Sequence, residues 1–179
     1  GGFEQPNKTA VYIISLGSGG LQKKHATFQM TGGTIKGGEY GLKHTQLNEI
    51  TLSGGTISGG KNQPDVYMAW EKNSVSGTAK FTVKGNFPFA SMKIESASKI
   101  NEIDFTKATA TGEENLQINL PWDGNETGAN MKLFKASTSN YRDLLKHITL
   151  SGGKTPIFAV YNERMISENP ETTEIYAFS

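Results

Sequence analysis

Two stretches of the chain say nearly the same thing. Phe28 to Gly38 reads FQMTGGTIKGG and Ile50 to Gly60 reads ITLSGGTISGG, in step at an offset of 22 residues. An apolar–polar–apolar triplet opens each copy: Phe28-Gln29-Met30, then Ile50-Thr51-Leu52. Successive side chains on a strand point to opposite faces, so Phe28 and Met30 share one face and Gln29 takes the other. The glycine pair that follows suits a sharp bend, because glycine tolerates positive φ. A second short strand then offers one inward residue, Ile35 or Ile57, before another glycine pair ends the unit.

Strand, bend, strand, bend, with no helix-length segment between, is how a chain coils into a solenoid. Stacking equivalent positions one strand spacing apart, roughly 4.8 Å, sets Phe28 on Ile50, Met30 on Leu52 and Ile35 on Ile57. Each pair is apolar on apolar, and a slip of one residue would turn all of them outward. The fold expected is therefore all-β, a short right-handed parallel β-helix with irregular C-terminal coils. A β-sandwich of hairpins is the alternative, since glycine turns separate its strands too. Collagen and flexible-linker readings fail, because the glycines keep no three-residue period and apolar strands separate them.

The remaining chain repeats this grammar in looser copies. YGLKH (Tyr40 to His44) and DVYMAW (Asp65 to Trp70) fit as third strands of the first and second coils. AKFTVKGN (Ala79 to Asn86) carries Phe81 and Val83 inward, and SMKIES, NEIDF, NLQINL and MKLFKA follow as further strands. HITLSGG (His147 to Gly153) restates EITLSGG (Glu49 to Gly55) almost letter for letter. PIFAVYN and TEIYAFS end the chain as two apolar strands. Only NYRDLLKHI (Asn140 to Ile148) reads as helical, with Tyr141, Leu144 and Leu145 on one face and Ser139 or Asn140 as cap. Residues 1–10 read as a flexible lead-in and residues 11–179 as one β-helix-like domain whose last coils act as a cap.

FQMTGGTIKGG and EITLSGGTISGG resemble the GGTISG-type coils of large surface proteins from host-associated bacteria. PDVYMAW…TAKFTVKG resembles the pair of strands that often follows such a coil there. The likeness covers Thr27 to Gly85 well and the remainder by general grammar. It implies a right-handed parallel β-helix, exported and found at the cell surface or secreted, of the kind called an adhesin. The motif speaks to architecture far more than to chemistry.

Composition narrows the function. The 18 Lys+Arg balance 17 Asp+Glu, a net charge of +1, whereas nucleic-acid binding normally shows as a basic excess. Arg142 and Arg164 are the only arginines, so bidentate recognition of phosphate or carboxylate is thinly supplied. The absence of cysteine removes disulfides, thiol catalysis and Cys-type zinc sites. No apolar run approaches the ~18 residues of a membrane span. Ala10 to Leu16 reads as the first strand and not as a signal peptide.

Polysaccharide-active β-helical enzymes are the reading to test against a non-catalytic one. They need carboxylates gathered as acid and base, or as calcium ligands beside a basic residue. Asp65, Asp104, Asp123 and Asp143 are isolated in sequence, and Glu113-Glu114 reads as a solvated turn. A lyase or hydrolase would require Asp104, Asp123, Glu126 or Arg142 to converge. DGNETG (Asp123 to Gly128) begins like a calcium loop, but its twelfth place is Phe134 where a glutamate is required. His25, His44 and His147 read as surface or edge residues, so no metal and no cofactor is expected. The binding candidates are aromatic. Alternation puts Val66 and Met68 inward and Tyr67 outward, with Trp70 at the strand end and Tyr40 one coil earlier. Trp122 in LPWDGN is a weaker fourth. Such a row suits stacking on sugar rings or burial in a protein contact.

The function expected is thus a non-catalytic surface or secreted module for adhesion or glycan contact. A spacer within a larger surface protein is a further alternative. The expected partners are a glycan or surface protein of a host or matrix, and a second copy joined through an uncapped end of the helix.

Overall fold

The computed structural model of the chain describes residues 2–5, 8–14, 26–45, 48–69, 79–95, 100–109, 115–121, 131–151, 157–162 and 172–178. Strands dominate it. In chain order they are β1 (Gly2–Gln5), β2 (Val11–Ile13), β3 (Thr27–Gly37), β4 (Leu42–His44), β5 (Glu49–Ser58), β6 (Val66–Met68) and β7 (Ala79–Asn86). Then come β8 (Ser91–Ile94), β9 (Ile100–Thr109), β10 (Gln117–Pro121) and β11 (Met131–Ser137). A short helix, α1 (Tyr141–Leu145), precedes β12 (Ile148–Ser151), β13 (Ile157–Asn162) and β14 (Thr172–Phe178). Among the described residues no helix is long and apolar enough to cross a membrane.

From β1 to β12 the strands alternate between two sheets. Odd-numbered strands enter an eight-stranded sheet and even-numbered ones a six-stranded sheet. Every pairing among them is parallel. A chain that visits two parallel sheets in turn is a β-solenoid, and the sandwich of antiparallel hairpins is excluded. The stacking read from the repeat holds: Phe28 pairs with Ile50, Met30 with Leu52 and Ile35 with Ile57. Ile50 and Leu52 continue onto Phe81 and Val83 of the next coil, and all four are buried.

The first glycine pair behaves differently from the expected break between strands. β3 runs through Gly32 and Gly33 without interruption, and β5 through Gly54 and Gly55. The register slips there, from Met30 opposite Leu52 to Thr31 opposite Gly54, and recovers at Thr34 opposite Thr56. Gly33 (φ 85°) and Gly55 (φ 92°) hold left-handed conformations at the slip. This is a bulge, which bends a strand and lets the ladder resume beyond it. The second pair does end the strand. Gly60 donates its N–H to the Glu39 carbonyl at 2.8 Å, and a Cβ on Gly60 would collide with the Gly38 carbonyl one coil away.

Between the sheets lies one apolar core. Its axis carries a run of rings: Phe81 to Phe89 at 6.2 Å, Phe89 to Phe87 at 5.5 Å, Phe87 to Phe105 at 5.2 Å and Phe105 to Phe134 at 5.7 Å. Offset and edge-on contacts of this kind add to the gain from burial itself. Two polar groups tie the corners. Asn48 is buried, donating from Nδ2 to the carbonyls of Ile13 (3.1 Å) and Thr45 (3.0 Å) and accepting from the Ala26 N–H (3.2 Å). Asp65 accepts from the N–H groups of Gly59 (2.7 Å), Ala90 (2.9 Å) and Ser91 (3.1 Å). Each satisfies turn backbone that strand ladders leave unpaired.

The two ends differ from the sequence reading. The lead-in contains β1, which adds to the eight-stranded sheet in parallel with β3, Phe3 opposite Ile35. Residues 2–5 read GFEQ, with a single large apolar side chain, too little to announce a strand; the edge of β3 supplies its partner. At the other end coiling stops. β14 pairs antiparallel with both β11 and β13, so the last two strands widen the sheet without adding a coil. Helix α1 sits at this end with Leu144 buried. Its cap residue, Asn140, turns its side chain away from the helix, accepting from the Ser137 N–H at 3.0 Å and donating to the Ala108 carbonyl.

Candidate functional site

Each strand of the six-stranded sheet carries a triplet whose outer members are apolar, His44 excepted: VYI, LKH, VYM, MKI, INL and ITL. The outer members face the core, so the middle one faces out. Register sets the middle residues in a line. Tyr12 pairs with Lys43, Lys43 with Tyr67, Tyr67 with Lys93, Lys93 with Asn119 and Asn119 with Thr149. Tyrosine and lysine thus alternate over the first four rungs.

The rungs touch. Lys43 Nζ lies 4.6 Å from the centroid of the Tyr12 ring, a cation held against a π face. Tyr12 is 46% exposed and Tyr67 half-buried. Tyr40, just before β4, stacks on Tyr67 with ring centroids 4.5 Å apart and planes 17° from parallel. Partial burial, and then the carboxylates of Glu39 and Glu95, raise the Tyr40 phenol above its ordinary value. It stays a neutral hydroxyl able to donate as well as accept. The surface offers flat aromatic area, lysine ammonium groups and phenolic hydroxyls within one row.

Two of the four aromatics singled out in the sequence, Tyr40 and Tyr67, are brought together here. Trp70 and Trp122 lie outside the described residues. Tyr12, Lys43 and Lys93 were missed, although the signal was present: each is the middle residue of a triplet that alternation turns outward.

The ionisable residues weighed for catalysis have other neighbours. Asp65 is committed to the three backbone N–H groups. Asp104 Oδ1 accepts from the Thr106 N–H at 2.8 Å. Asp143 pairs with Lys146 at 2.9 Å on exposed helix surface, and Arg142 Nε donates to the Tyr141 hydroxyl at 3.0 Å. Asp123 and Glu126 lie outside the described residues, as do Glu113 and Glu114. Among the described residues no three of His, Asp and Glu gather as metal ligands.

One histidine reading is corrected. His44 is not at the surface but fully buried, on the inward side of β4 beside Leu42. Strict alternation in Leu42-Lys43-His44 carries it there. Burial pulls its pKa down to about 4, offset only in part by the Thr45 backbone. Neither ring nitrogen meets a partner at hydrogen-bonding geometry among the described residues. His147 is half-buried, its Nδ1 3.0 Å from the Leu116 carbonyl, and His25 lies outside the described residues.

No protein-family model matches this chain, and no curated protein or solved structure matches it.

Proposed function

We propose that this β-solenoid is a non-catalytic bacterial surface or secreted module that makes glycan contacts through the outward face of its six-stranded sheet. The observation carrying the reading is the Tyr40–Tyr67 stack, 4.5 Å between centroids, inside a register-aligned row of Tyr12, Lys43, Tyr67 and Lys93. Sugar rings present flat C–H faces that pack on tyrosine, and their hydroxyls pair with phenol and ammonium groups. A rigid parallel sheet holds the spacing of the row without ordering a loop on binding, which lowers the entropic cost of contact. The GGTISG-type coils support the surface assignment by resemblance.

A glycan-array screen of the whole chain tests this, with every bound polysaccharide then assayed for new reducing or unsaturated ends. Binding without product, lost in Tyr67→Ala, is the expected result. Product formation would overturn the non-catalytic reading. Binding that Tyr67→Ala leaves intact would remove this face from it.

A further inference from the structure

The eight-stranded sheet has an outward surface of different character. Its central row runs Gln29, Thr51, Thr82, Asp104, Lys135 and Glu174, each opposite the next in register. A cleft of about 460 Å³ opens on this row, with Thr51, Thr82, Lys84, Asp104, Lys107 and Lys135 in its walls. A second cleft of about 400 Å³ shares Thr106 and Lys107 with the first and continues to Ser139 and Asn140. Together they form a trough that crosses several coils.

Two lysines decide its chemistry. The register of β7 against β9 slips between Thr82 and Lys84, next to Gly85 in a left-handed conformation (φ 73°). Alternation from Thr82 already carries Lys84 outward, and the extra residue in β9 turns Lys107 outward directly opposite it. Like charges across a strand pair repel, and neither lysine has an ion-pair partner among the described residues. Lys135, by contrast, is held by Glu102 at 3.3 Å. The trough wall therefore carries a cation pair held by no ion pair among the described residues, set among hydroxyl side chains and the Asp104 carboxylate, whose Oδ1 accepts from the Thr106 N–H. Among the described residues neither cleft has an aromatic side chain in its lining, so they offer bases nothing to stack on.

We propose that this trough binds an acidic polysaccharide. Lys84 and Lys107 hold its carboxylate or sulfate groups, and Thr51, Thr82 and Thr106 bond its hydroxyls. The idea extends the glycan reading but uses the other sheet, so the two stand or fall on different residues.

Titration calorimetry of the whole chain with polygalacturonate, dextran sulfate and neutral dextran tests it, with a single-stranded DNA oligonucleotide as a fourth titrant. At least one acidic polymer is expected to bind and neutral dextran not to. Binding of polygalacturonate alone would assign carboxylate, and binding of both acidic polymers would assign anionic charge in general. The double variant Lys84→Gln/Lys107→Gln, both positions being exposed, should weaken binding by about tenfold or more, in line with the loss of two charge-assisted contacts. The Lys84→Arg/Lys107→Arg variant should retain binding, and the same loss in the glutamine variant on a Tyr67→Ala background would separate the trough from the other sheet. A smaller loss in the glutamine variant, equal binding of neutral dextran, or binding of DNA alone would overturn the proposal.

Discussion

His44 lies nearly parallel to Phe81, 18° between planes and 5.6 Å between ring centroids, with its imidazole shut away from water. The histidine fills core volume as a neutral ring. That role has a consequence for stability in acid. Its folded-state pKa is about 4, against an ordinary value near 6.5 in the unfolded chain. The unfolded state therefore takes up a proton first, and stability falls as the pH drops from about 6.5 to about 4, being fully present above that window. The full difference corresponds to roughly 3 kcal/mol. Urea unfolding at pH 7 and pH 4.5 measures it. His44→Leu should flatten the dependence, and an unchanged slope in that variant would show that other groups carry it.

Asp65 should be worth far more than an ordinary half-exposed aspartate. Its carboxylate accepts from Gly59, Ala90 and Ser91, so it pins turns on two coils to each other. Replacement by alanine leaves those N–H groups without their acceptor, costing about 2–4 kcal/mol. Asp65→Asn, which keeps one oxygen, should lie between. Urea midpoints of the three proteins give the order; an alanine variant within about 0.5 kcal/mol of the parent would show that water replaces the carboxylate.

The glycines differ sharply in what they tolerate. A Cβ on Gly60 strikes the Gly38 carbonyl, whereas a Cβ on Gly32 meets nothing within 4 Å. Gly60→Ala should thus force the coils apart at a cost of about 1–3 kcal/mol or more. Gly32→Ala should be close to neutral. Thermal melts of the two variants make the comparison, and equal melting temperatures would contradict the close approach of the coils.

Tyr67 separates binding from folding. Losing its stack on Tyr40 costs about 1 kcal/mol, a shift of a few degrees in melting temperature. The proposed glycan contact should suffer much more in Tyr67→Ala than stability does. Tyr67→Phe keeps the ring and should retain most of the binding. Melting curves and affinity measured on the same samples check both halves.

Much of the site was legible one residue at a time. Alternation alone turned Tyr67 outward and Val66 and Met68 inward, because adjacent side chains on any strand take opposite faces. The same rule was available for Tyr12, Lys43 and Lys93, but nothing in a triplet says which other triplets stand beside it. The row exists only through the register of the six-stranded sheet. The Lys84–Lys107 pair was less visible still. It depends on an extra residue in β9, and nothing in Asp104 to Ala108, which holds no glycine, announces one.

The two copies of ITLS show where sequence stops and tertiary structure begins. In both, the pattern itself determined the inward and outward faces: Ile50 and Leu52 are buried around Thr51, and Ile148 is buried beside exposed Thr149. Yet the first belongs to β5 of the eight-stranded sheet and the second to β12 of the six-stranded one. Facing is a property of the covalent chain, since strand geometry alternates side chains whatever the surroundings. Sheet membership is a property of position along the coil, set by which strand edge is open when that segment arrives. The same holds for the last two strands, which read like their predecessors but pair antiparallel, β14 with β11 and β13 with β14. Local pattern determined a coiled all-β chain and most of its core; only the assembled coils decided which side chains share a face.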